Sequence, residues 1–200
     1  MYLLIKNEIY ICLMKKIGER ISYYYHEDYT TVIINGRTEA WKTNVMLIWF
    51  LAWLFSGFSV LYSLYNYEFD SDQKTFLMIF MFFWAYFLFK ITRVLLWRKY
   101  GMEFIKIDND RLTMKKSILG YGVARPFLTA NVKNFKLQEV NAKSYVKVFN
   151  DSFWVIGSGS LNMITNSEEI NFGSQLNNKD AKELIKLMKK IVNKYSQQES

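Results

Sequence analysis

The chain of 200 residues carries one cysteine, one histidine and one proline. With Cys12 alone and no CxxC, neither a disulfide framework nor a thiolate metal site can be built, which fits a reducing compartment. A Ser-His-Asp or Cys-His catalytic set would have to use His26, and no GxSxG elbow accompanies it. His26-Glu27-Asp28 could hold a metal only weakly, and a solvated turn explains the three residues. Gly157 to Ser160 (GSGS) lacks the GxxxxGK[ST] spacing of a phosphate loop and reads as a hairpin turn. Glu168 and Glu169, in NSEE, read as solvated turn residues rather than an acid–base pair. The exposed aromatics interleaved with basic residues that nucleic-acid binding requires are also missing, since most aromatics fall in apolar runs or at strand-core positions. The expectation is a non-enzymatic protein with no cofactor, no metal and no nucleic-acid partner.

Charge is absent where two long apolar runs occur. Val45 to Tyr65 has no charged residue, and Thr75 to Trp97 has none as far as Phe89. Each is long enough for a helix across a hydrocarbon core, which takes roughly 20 residues at about 1.5 Å rise. Residues 43–97 are therefore predicted to be a two-helix transmembrane hairpin. Arg37 and Lys42 precede the first span and Lys90, Arg93, Arg98 and Lys99 close the second, whereas the loop Asn66 to Lys74 carries Glu68, Asp70 and Asp72. The positive-inside rule then puts both termini on the cytoplasmic side. Lys90 and Arg93 lie within the second helix, where a central charge costs about 2.5 to 3.5 kcal/mol, but near the end their stems snorkel to headgroups. Trp41 and Trp97 fall where an interfacial aromatic belt belongs, and Tyr65 and Tyr67 mark the opposite interface. Ala52, Ser56, Ser59 and Ser63 share one face of the first span, a spacing that lets a second helix approach closely. Trp49 and Trp53, one turn apart, read as lipid-facing filler.

Residues 1–20 form a leader of doubtful status, because Lys6 and Glu8 interrupt its apolar run, no cleavage site follows, and MKKIGERI at Met14 is a more ordinary bacterial start. Residues 21–36 read as a β-hairpin, ISYYY and TTVII around a polar turn, that joins the later sheet. Residues 98–196 switch to period two: strands are predicted at Glu103–Asp108, Arg111–Ile118, Val123–Leu128, Val132–Leu137, Tyr145–Asn150, Ser152–Gly157, Leu161–Thr165 and Glu169–Phe172. Pro126 marks an edge or a strand end. Asn177, with Asp180 three residues on, caps a final helix whose apolar face is Ala181, Leu184, Ile185, Met188, Ile191 and Val192. Antiparallel strands closed by one amphipathic C-terminal helix describe a PH-like sandwich or barrel, so the fold class is a membrane-anchored α+β protein.

Trp97 to Leu137 (WRKYGMEFIKIDNDRLTMKKSILGYGVARPFLTANVKNFKL) and Ile170 to Met188 (INFGSQLNNKDAKELIKLM) carry a Gly-x-Glu opening, an Ile-Asp strand end, a basic strand, a Gly-containing turn and a Phe-Gly loop before an Ala-Lys-Glu-Leu helix. In these features the chain resembles bacterial integral membrane proteins in which a helical hairpin is followed by a PH-like domain. The resemblance implies a bacterial inner-membrane location and carries no functional residues.

From Arg98 to Ser200 there are 17 Lys and Arg against 10 Asp and Glu, so most of the chain's net charge of +8 sits there. Near an anionic leaflet each such cation is worth about 1 kcal/mol. Lys90, Arg93, Arg98, Lys99, Lys115, Lys116 and Arg125 are the candidate headgroup contacts. Two readings follow: an accessory or adaptor subunit of a membrane-protein complex or homo-oligomer, favoured by the small-residue face and the lack of chemistry, and a module that senses anionic lipid.

Overall fold

The computed structural model describes residues 14–138, 152, 154–157 and 159–196. Among these the chain is α+β, with two antiparallel sheets and three α-helices. The first sheet holds β1 (Lys15–Ile17), β2 (Ile21–Tyr25), β3 (Tyr29–Asn35), β4 (Gly101–Asp108), β5 (Arg111–Ile118) and β6 (Ala124–Leu128) in sequence order. The second holds β7 (Val132–Leu137), β8 (Leu161–Thr165) and β9 (Glu169–Phe172). Pro126 lies on β6, an edge strand, where its missing N–H costs no ladder bond.

Two helices, α1 (Ala40–Asn66) and α2 (Ser71–Tyr100), are inserted between β3 and β4, and both are long and apolar enough to cross a membrane. Despite that insertion β3 and β4 pair directly, from Tyr29 opposite Asp108 to Asn35 opposite Met102, and Gly36 N–H donates to Gly101 O at 2.8 Å. The sheet domain is thus discontinuous, built from residues on both sides of the helices. Lys15–Ile17, assigned above to the leader, forms the edge strand β1 on β2. Residues 98–100, assigned to the sheet domain, belong to α2.

Period-two patterning sets which face is buried. Thr30, Val32 and Ile34 of β3 and Ile105 and Ile107 of β4 point inward with Leu112 and Met114 of β5. They meet Phe135, Leu161, Met163 and Phe172 of the second sheet and α3 (Asn178–Ser196), which contributes Ala181, Leu184, Met188, Ile191 and Tyr195. The Tyr195 hydroxyl lies 3.0 Å from Thr30 Oγ1, so the last turn of α3 is fastened to β3 inside the core. Asn177 Oδ1 accepts Asp180 N–H at 2.7 Å, and its Nδ2 donates to Asp180 Oδ2 at 3.0 Å. Asn177→Ala is expected to cost about 1 to 2 kcal/mol, seen as a melting temperature lowered by several degrees at unchanged helix content.

Two predicted strands, Tyr145–Asn150 and Ser152–Gly157, are not among the described strands of the two sheets. Tyr145–Asn150 lies outside the described residues. Ser152–Gly157 is not a strand where it is described: Trp154 packs on Trp49 of α1 (centroids 5.4 Å apart), and Val155 O accepts from Arg98. Its backbone is spent on the helices rather than on a ladder.

Packing between α1 and α2 does not centre on the predicted small-residue face. Ala52 and Ser59 are exposed and Ser56 and Ser63 only half-buried, with Ser56 Oγ and Ser59 Oγ donating to carbonyls of their own helix. The close approach is at Gly57, where an added Cβ would stand 1.9 Å from Trp84 Cε2. Trp84 Nε1 donates to Trp53 O at 2.7 Å and Trp53 Nε1 to Trp84 O at 3.2 Å, a reciprocal clasp of two indoles that needs a bare backbone to lie on. Trp53, read as filler, is half of this clasp. Trp97, assigned to an interfacial belt, is instead covered by protein at 2% exposure, while Trp41, Tyr65 and Tyr67 are exposed.

Candidate functional site

Four of the seven candidate headgroup residues line one cavity of about 520 Å³: Arg93 from α2, Lys115 and Lys116 from β5, and Arg125 from β6. Lys116 and Arg125 share one face of the sheet with Met114 through the β5–β6 register, which sets Met114 opposite Arg125, whereas Lys115 alternates to the other face and donates its ammonium to Gly120 O at 3.0 Å. Arg93 arrives because α2 runs directly into β4, whose neighbour is β5. Phe104, Phe127 and Ile170 supply apolar lining, and Glu168 and Glu169 stand on the β9 side. Glu169 is engaged by Asn162 Nδ2 at 2.8 Å. Among the described residues Arg93 and Arg125 have neither a hydrogen-bond nor an ion-pair partner, so their guanidinium groups are available to a ligand.

The remaining cations do other things. Lys90 and Lys99 are exposed on α2, each with its ammonium over a neighbouring ring, Tyr86 and Tyr100, at 5.4 Å. Arg98 leaves the headgroup set, because it is 2% exposed, donates to Val155 O at 2.9 Å and also bonds the Gln175 side-chain oxygen. Burial at the helix–sheet junction turned an apparent surface cation into an internal donor.

Part of the cavity wall is a polar clamp on the β9–α3 loop, centred on Glu103, itself a lining residue. Glu103, 3% exposed on the inward side of β4, accepts Gly173 N–H at 2.7 Å, Ser174 N–H at 3.1 Å and Ser174 Oγ–H at 2.7 Å. Lys116 Nζ lies 3.6 Å from the same carboxylate, so it is shared between clamp and cavity. From the other side Arg20 donates to Asn35 O at 2.9 Å, Ser174 O at 2.9 Å and Gln175 O at 2.6 Å. Burial pulls the Arg20 pKa down from its ordinary value, and the nearby Glu103 and Asp180 carboxylates oppose that shift. The loop thus has its N–H groups tied to a carboxylate and its carbonyls to a guanidinium, with each charge desolvated but multiply hydrogen-bonded.

Sequence reasoning missed Glu103 and Arg20. A signal existed for Glu103, since it occupies an inward position of the β4 alternation between Gly101 and Ile105, where only a satisfied carboxylate can sit. His26 stacks on Tyr29 with centroids 4.0 Å apart, and among the described residues no three His, Cys, Asp or Glu side chains gather as metal ligands would. The cavity thus offers the cationic groups of Arg93, Lys116 and Arg125 beside an apolar lining of Phe104, Phe127 and Ile170. Set against known proteins, the chain matches no family model and no curated protein.

Proposed function

We propose that the chain is a two-pass protein of the bacterial inner membrane with both termini cytoplasmic, whose PH-like domain takes an anionic lipid headgroup into the basic cavity. What carries this reading is the presence of Arg93, a residue of the apolar helix α2, in the same cavity as Lys115, Lys116 and Arg125. A cavity shared by the end of a membrane span and a basic sheet opens at headgroup level, where attraction is about 1 kcal/mol per cation. The exposed apolar surfaces of α1 and α2, Ile48, Phe55, Phe76 and Phe82 among them, support insertion, because so large an exposed apolar area is untenable in water. The two antiparallel sheets closed by α3 support the PH-like reading.

The test is native mass spectrometry of the full chain in mild detergent, titrated with short-chain phosphatidylglycerol, phosphatidylcholine and glycerol phosphate. Phosphatidylglycerol is expected to be retained in preference to phosphatidylcholine, and Arg93→Gln with Arg125→Glu should weaken it at least tenfold, about 1.4 kcal/mol, while leaving the melting temperature unchanged. Equal retention of both lipids, or no effect of the double variant, would sink the headgroup site. Binding of glycerol phosphate as tight as that of the lipid would assign the cavity to a soluble phosphate instead.

The accessory-subunit reading keeps one observation on its side: α2 leaves Ala52 and Ser59 of the small-residue face uncovered. A stoichiometric membrane protein that co-purifies with the wild type and is lost on Ala52→Leu with Ser59→Leu would establish that role alongside or in place of lipid binding.

A further inference from the structure

The turn between β5 and β6 breaks a local rule: Lys115 Nζ donates to Gly120 O at 3.0 Å and braces its backbone, but nothing buries the leucine at its first central position. Ile118 and Tyr121 exchange both backbone hydrogen bonds, at 2.9 and 3.0 Å, which makes Leu119 and Gly120 the two central residues of a tight turn. Their φ angles are 53° and 88°, the mirror-image geometry that favours Asn-Gly or Gly-Gly and penalises leucine at its first position. Leucine gains no burial in return. It is 55% exposed, and Tyr121 and Val123 beside it are 84% and 81% exposed. One tip of the sheet therefore presents three apolar side chains, one of them at the cost of a strained backbone, where water alone would favour a polar turn.

Its position explains what covers it. Gly101, the first residue after α2, lies opposite Ile118, so the chain beyond Ile118 continues back past the end of that helix. Val123 lines the same cavity as Arg93, which is about 12 Å back along α2 from Gly101 at a rise of 1.5 Å per residue. The tip thus stands beside the last turns of α2, where Val123 shares a cavity with Arg93, and Arg125 lies on the strand behind it. The β4–β5 turn at the far end of the same strands is polar, Asn109-Asp110, with Asp108 Oδ1 accepting Arg111 N–H at 2.7 Å. Apolar groups at one end, cations beside them and a fully polar turn of mixed charge at the other end, where Lys106 Nζ lies 3.4 Å from Asp108 Oδ2, match the polarity profile from acyl chains through phosphates to water.

We infer that Leu119, Tyr121 and Val123 form a third membrane attachment, a tip that dips into the bilayer interface beside α2 and holds the sheet upright on the headgroup layer. The inference rests on the reading of α1 and α2 as membrane spans, and does not require that the cavity hold a headgroup. Cysteine in place of Tyr121, Asp110 or Phe82, each in a Cys12→Ser background of the full chain, would carry a nitroxide label in phosphatidylglycerol–phosphatidylcholine bilayers. Depth is read from power saturation with oxygen against a water-soluble nickel chelate. The label at Phe82, in mid-α2 and exposed, should read as deep, that at Asp110 as aqueous, and that at Tyr121 as interfacial, several ångströms below the phosphates. A deep Phe82 label with a fully aqueous Tyr121 label would overturn the tip, whereas an aqueous Phe82 label would overturn the spans on which it rests. Leu119→Asn separates membrane contact from folding: it relieves the turn strain, so the melting temperature in detergent should hold or rise while the Tyr121 label moves at least halfway to aqueous accessibility. An unmoved label in that variant would deny Leu119 its part in the anchor.

Discussion

Glu103→Ala is expected to destabilise the sheet domain by about 3 to 5 kcal/mol, the usual cost of removing one partner from a buried charged network. The substitution strands Gly173 N–H, Ser174 N–H and the Ser174 hydroxyl, all of which now end on the carboxylate. It also removes one of the two carboxylates, Glu103 and Asp180, that offset the burial of Arg20 on the far side of the same loop. For a domain of this size the loss corresponds to a melting temperature lower by roughly 10 to 20 °C. Glu103→Gln should fall between, because the amide keeps one acceptor but turns an NH₂ toward backbone donors. Glu169→Gln, exposed on the edge strand β9, should stay within about 0.5 kcal/mol and serves as the control. Differential scanning fluorimetry of the full chain in detergent decides it: if Glu103→Ala melts within a couple of degrees of wild type, the loop is held by something other than this clamp.

Gly57→Leu should separate α1 from α2. A Cβ there would meet the Trp84 indole at 1.9 Å, far inside contact distance, and the ring cannot retreat without giving up its bond to Trp53 O. The return bond from Trp53 Nε1 to Trp84 O lengthens with it. Overpacking costs about 1 to 3 kcal/mol, and the two lost interhelical hydrogen bonds add about 0.6 kcal/mol each, so a loss of about 2 to 4 kcal/mol is expected. Gly57→Ala should act in the same direction with a smaller effect. A double-mutant cycle isolates the contact: in a Trp84→Ala background the Gly57→Ala penalty should shrink to nearly nothing. A penalty of full size in that background would mean that Gly57 matters for a reason other than this ring.

Elements with an unbroken pattern were legible in the sequence. β5, β7, β8 and β9 have the boundaries that their alternation and turn residues assigned, and both long helices fall on the uncharged runs. Patterning failed wherever a residue's role depended on a partner distant in the chain. Arg98 looked like a surface cation because it stands with Lys99 where the second apolar run ends, yet its own position on α2 faces Gln175 and Val155. The small-residue stripe had the right spacing but the wrong place, since a pair of tryptophans each donating to the other's carbonyl sets the point of contact, and indole geometry is not a periodic signal. Of the candidate site, the types and signs of the residues could be read, but their convergence could not. Arg93 and Arg125 are separated by a whole strand pair, and only the β4–β5–β6 register and the run of α2 into β4 bring them to one cavity.

The insertion of α1 and α2 between two paired strands dictates an order of events during synthesis. β3 leaves the ribosome with its pairing edge vacant, and its partner β4 follows only after the whole helical hairpin has been made. At typical elongation rates of 5 to 20 residues per second, the intervening stretch takes roughly 3 to 13 s. Through that interval Val32, Ile33 and Ile34 are an unprotected sticky edge of the kind that seeds aggregation. Formation of the hairpin is therefore a precondition: β4 can pair with β3 only after both helices are made, and Gly36 N–H then meets Gly101 O where the two helices join the sheet. A nascent chain whose hairpin stalls keeps a half-made sheet and is a substrate for proteolysis, which ties the survival of the sheet domain to completion of the helices.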